Sequence, residues 1–101
     1  MNKNTRIIVN ILEKVKEFTL GISTDVGWSR FESKEEVIKE INNHIQRLRN
    51  NDFSKIEELI FLFLPTSDLQ EISISSGWGK EFLVIAEKFD NAIKDLIRRI
   101  K

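Results

Sequence analysis

Six consecutive apolar residues, Leu59 to Leu64, run into Pro65, the only proline of the chain, and this stretch constrains the fold more than any other. An element apolar on every side is either buried all round, or buried on one side and covered by a partner on the other. Proline biases the residue before it away from helical backbone, so the element ends at or before Leu64. The residues leading in favour a helix. Phe53, Ile56, Leu59 and Ile60 recur at helical spacing, and Ser54 with Glu57 makes a capping-box pattern. A strand is the competing reading, because Ile60 to Leu64 is β-prone in composition. The unbroken capped amphipathic run decides for a helix from Phe53 or Ser54 to Leu64.

Three further amphipathic helices flank this one. Ile8, Ile11, Leu12, Val15 and Phe18 place one apolar face on residues 5–20, with Asn4 or Thr5 as cap and Gly21 as a left-handed stop. Ser33 and Glu36 cap a helix over 34–49, whose stripe is Val37, Ile38, Ile41, Ile45 and Leu48. Glu35 and Glu36 at its start and Arg47 and Arg49 at its end suit the helix dipole. The last helix, 79–100, has the strongest period, running through Phe82, Ile85, Ala86, Phe89, Ala92 or Ile93, Leu96 and Ile100. Between Pro65 and Gly77, Ser67 with Gln70 favours a short helix from Asp68 to Ser73 or Ser75, with Leu69 and Ile72 inward. The alternation Ile72-Ser73-Ile74-Ser75 is the strand alternative.

Together these elements specify one all-α domain over residues 1–101, a small four-helix bundle with one extra short helix around 68–75. A chain of 101 residues can bury one core without staples. The loop 21–33 carries Trp28 and Phe31, which are expected to tuck under it and close one end of that core. An aromatic patch beside Arg30 is the functional alternative.

Composition removes several function classes. With no cysteine, disulfide, thiolate and zinc-thiolate chemistry are excluded, and the lack suits a reducing cytoplasm. The basic start MNKNTR is followed by apolar residues that Asn10, Glu13 and Lys14 interrupt, so no signal-peptide core is expected. No run approaches the ~20 apolar residues of a membrane span. Sixteen basic residues balance sixteen acidic ones, unlike a dedicated nucleic-acid binder. The single histidine, His44, lies at the margin of a helical stripe, outside any HExxH pattern. There is no GxSxG, GxGxxG or P-loop. The pairs Glu35-Glu36 and Glu57-Glu58 fall at helix starts, where the dipole explains them. No enzyme activity, metal or cofactor is expected.

Charge placement is more informative. Between residues 51 and 81 six acids stand against Lys55 and Lys80, whereas 91–101 is basic. An acidic segment of this kind steers a basic protein partner. Its expected contacts are Asp68, Glu71 and Glu81, with Trp78 as aromatic anchor where exposed; its position beside Gly77 favours the core instead.

The run LPTSDLQEISISSGWGKEFLVIAEKFD, through Pro65, Leu69, Gln70, Gly77, Trp78, Phe82, Phe89 and Asp90, resembles small bacterial toxin-immunity proteins of contact-dependent or secreted toxin systems. The resemblance covers the C-terminal half of the chain. It implies a cytoplasmic, non-enzymatic inhibitor that binds one cognate toxin and masks its active site. The zero net charge departs from the acidic character expected of a nuclease inhibitor. The alternative is a structural or adaptor module that forms a homodimer through the last helix, along Ile85, Phe89, Ile93 and Leu96.

Overall fold

The computed structural model describes residues 2–21, 31–65 and 67–100. Its elements are α1 (Lys3–Thr19), α2 (Lys34–Arg49), α3 (Ile56–Leu62), α4 (Asp68–Ser75) and α5 (Gly79–Ile100), and no strand occurs among the described residues. The chain is all-α. Residues 68–75 are the fifth, short helix, and the strand alternative for Ile72–Ser75 is thereby excluded. The Ser67 hydroxyl accepts the Gln70 amide at 3.2 Å, so the cap determines the outcome there.

Helix α1 packs on both α2 and α5, and α4 packs on α5. The apolar residues at three- and four-residue steps account for this. Ile8, Leu12 and Val15 of α1, Val37, Ile41 and Leu48 of α2, and Phe82, Phe89 and Leu96 of α5 all lie in one continuous core. At ~1.5 Å per residue α5 is ~33 Å long, so it spans most of the 38 Å long dimension of the body.

Aromatic rings tie the short helices to this frame. Phe18 of α1 stacks on Trp78 at 5.2 Å between centroids, and Trp78 meets Phe82 edge-on at 6.1 Å. Phe63, at the end of α3, stacks on Phe89 at 4.0 Å and on Phe82 at 5.8 Å. A seven-residue helix is far below the ~12–15 residues that approach stability alone. Phe63, Leu59 and Leu62 are the buried side chains that hold α3 down.

Several local expectations are corrected. Helix α1 begins two residues early because Asn2 caps it, accepting the Thr5 amide at 2.8 Å. Asn4 and Thr5 lie inside the helix and are buried. Leu20, in right-handed conformation, is the C-cap of α1, whose last helical residue is Thr19. Ser54 does not cap α3. The Asp52 carboxylate accepts the Ser54 amide at 3.0 Å and also binds its hydroxyl, which leaves Lys55 as an N-cap without a side-chain bond. Helix α3 therefore starts at Ile56. The run Leu59–Leu64 is not covered all round. At ~100° per residue Leu59, Leu62 and Phe63 share one side and Phe61 points away, and Phe61 is 63% exposed. Phe31 is buried, as a ring closing the core should be. Trp28 and Arg30 lie outside the described residues.

Candidate functional site

The site grows from the turn between α4 and α5. Gly77 adopts φ 86°, a left-handed conformation natural to glycine, and the Trp78 amide returns to the Ser73 carbonyl at 2.9 Å. That reversal folds α4 back along α5. Ile74 Cγ1 lies 3.4 Å from where a Cβ on Gly79 would stand. One turn earlier on the same edge of α4, Gln70 lines a depression of about 250 Å³ with Leu83, Ala86, Glu87 and Asp90 of α5. Phe63, Leu64 and Pro65 close its other side. The α3 stop, α4 and α5 thus border one seam.

Much of this seam is apolar and open. Ile74 and Leu83 are each 58% exposed, and Leu64 is exposed above the buried Phe63. Phe61 stands one turn before Leu64 on α3, on the outward side. Two exposed carboxylates, Glu87 and Asp90, line the depression, and none of its lining residues is basic. Residues 57–90 hold seven carboxylates and only Lys80 and Lys88.

The four residues expected from sequence do not form one surface. Glu71 is exposed and Asp68 half-buried, both in the first turn of α4. Glu81 is exposed, but nine residues at ~100° put it on the flank of α5 opposite Asp90. Trp78 is 6% exposed, so the condition on its being an anchor is not met. Its place is in the core, stacked on Phe18. The residues that sequence reading missed are Ile74, Leu83, Glu87 and Asp90. A signal existed: Leu83 and Val84 are apolar yet fall off the stripe of α5.

That stripe is internal. Ile85, Phe89, Ile93 and Leu96 are buried within the chain's own core and are not open to a second copy.

A second concavity, about 350 Å³, lies between α2 and α3 and is lined by Lys39, Glu40, Asn43, His44, Arg47 and Glu58 among others. Sequence spacing set His44 at the margin of a stripe; the structure buries it, because α3 closes over it. Burial lowers the His44 pKa below 6.5, and neighbouring Arg47 adds to this, against weaker opposition from Glu40 and Glu58. The mixed charges here favour no one ligand class. Among the described residues no group of three or more histidine or acidic side chains is placed to hold a metal ion. Nor is any helix among them long and apolar enough to cross a membrane.

No family model, curated protein or solved structure matches the chain.

Proposed function

We propose that this chain is a non-enzymatic binding protein, a cytoplasmic immunity protein that neutralises a cognate bacterial toxin by covering part of its surface. The observation that carries the reading is the open apolar seam of Leu64, Ile74 and Leu83, with the exposed carboxylates Glu87 and Asp90 lining the depression beside it. Exposed apolar patches with polar rims mark protein-binding surfaces. Apolar side chains supply affinity when buried by a partner, and like-signed rim charges set orientation and encounter rate. Glu71 remains in the proposed contact set as the exposed neighbour of Gln70 on α4, whereas Asp68, ~200° before Gln70, would meet only a partner that also reaches the other side of α4. Glu81 would contact only a partner large enough to wrap α5. The toxin is expected to offer a basic surface with an apolar centre.

The test is co-expression with the product of the gene immediately upstream, read by growth rescue and by pulldown of the purified pair. The reading expects rescue and a stable complex, both lost in Leu83→Asp. A chain that neither binds nor protects against that product would overturn the reading.

A further inference from the structure

We infer that the seam between α4 and α5 is a groove for one cationic amphipathic helix of the partner, seated lengthwise along α5. This deepens the binding role proposed above and rests on it. The argument starts from what the surface offers. All described elements are helices, whose backbone hydrogen bonds close internally, so no open strand edge invites an extended peptide. What remains is a channel between two helices that double back at Gly77.

Its length is set by α5. Gly79, Leu83, Glu87 and Asp90 follow one another at four, four and three residues and share one flank. They span ~16 Å, or about three turns of a helical ligand. At one end its floor is Gly79, over which Ile74 packs with its Cγ1 3.4 Å from where a Cβ would stand. Apolar anchors therefore sit at the Gly77 end (Ile74, Leu83) and beside Leu64, while Glu87 and Asp90 line the far end. A helix with apolar residues at i, i+3, i+4 and i+7 can bury one face there and set lysines or arginines over the carboxylates. The carboxylates Glu87 and Asp90 that line the depression select a cationic helix over an anionic one, and they disfavour a second copy paired in parallel.

The probe is a leucine/lysine peptide of about four turns, leucines on one face, titrated into the full chain by calorimetry. Its control is a leucine/glutamate peptide of the same pattern. The inference expects saturable one-to-one binding of the cationic peptide alone, weakened by added salt. Leu83→Asp and the pair Glu87→Lys with Asp90→Lys each reduce affinity at least about tenfold. These positions are exposed, and unchanged circular dichroism confirms that each variant folds. Glu81→Lys, on the opposite flank, leaves affinity nearly unchanged. Equal binding of both peptides, binding of neither, or insensitivity to the groove variants overturns the inference. So does a concentration-dependent dimer abolished by Leu83→Asp, since a second copy would then fill the seam. Toxin rescue without peptide binding sinks the helical mode and leaves the immunity reading standing. Peptide binding without rescue does the reverse.

Discussion

Phe63 is the aromatic member of the three buried side chains that hold α3 to the rest of the molecule, and Phe63→Ala tests its share. The ring is buried and stacks on Phe89 at 4.0 Å and on Phe82 at 5.8 Å. Deleting a buried phenylalanine costs ~3–5 kcal/mol in lost transfer energy and cavity. A domain of this size has ~5–15 kcal/mol in all, so the variant keeps its fold with a narrow margin. With a slope of ~1–3 kcal/mol per molar urea, the unfolding midpoint drops by at least about 1 M. Part of the penalty is specific to the stacked pair. A double-mutant cycle of Phe63→Leu and Phe89→Leu is expected to return ~0.5–1.5 kcal/mol of coupling. Hydrogen exchange locates the effect. Amides of α3, such as Leu59 bonded to Lys55 and Phe63 bonded to Ile60, exchange through a local opening in Phe63→Ala, while α1 and α5 stay protected. A cost below ~1 kcal/mol, or zero coupling in the cycle, refutes the claim that Phe63 anchors α3.

Three more outcomes follow from local geometry. His44 has a pKa below 6.5 in the fold, so the folded state favours its neutral form; its contribution is complete above the unfolded value and is lost as pH falls through the folded one. Stability therefore drops between pH ~6.5 and the folded pKa, and urea midpoints of His44→Leu measured across that interval lack this component. Gly77→Ala costs ~1–2 kcal/mol from backbone strain alone, because nothing lies within 4 Å of a Cβ there; a thermal midpoint equal to wild type contradicts the left-handed turn. Ser67→Ala removes the α4 cap seen at 3.2 Å, with an expected loss of ~0.5–2 kcal/mol, whereas Ser54→Ala leaves the helical content of α3 unchanged because Ser54 caps no helix.

The contrast between Ser67 and Ser54 shows what the sequence made legible. Both serines precede Gln or Glu by three residues, and the pattern alone ranks them equally. Only the structure shows Asp52 capturing Ser54, a competition between neighbours that a spacing rule does not contain. Long periodic elements escape such competition. The bounds of α2 and α5 follow the periodic reading of 34–49 and 79–100 because many residues agree on one face. The apolar run Leu59–Leu64 was legible as a helix, and the sequence left open whether it is buried all round or on one side only. Which of its residues face outward depends on where α5 lies, a tertiary fact. His44 was misplaced for the same reason, since α3 supplies the cover that buries it.

The same distinction governs what the sequence could say of a site. Acidic residues were visible as a segment. Helical geometry then redistributes them. Asp90 and Glu87 come onto the seam, Glu81 goes to the far flank, and Trp78 goes inside. A charge segment read along the chain averages over both flanks of a helix, whereas a partner meets one. The out-of-register Leu83 was the stronger clue. An apolar side chain off the stripe contributes nothing to the core of α5, and its exposure leaves apolar area in water that a partner can remove at ~25 cal/mol per Å². Burial of Ile85, Phe89, Ile93 and Leu96 sharpens the point. Any association through α5 must use its outer flanks, and of these only the flank bearing Leu83 borders a concavity that also reaches Leu64 and Pro65.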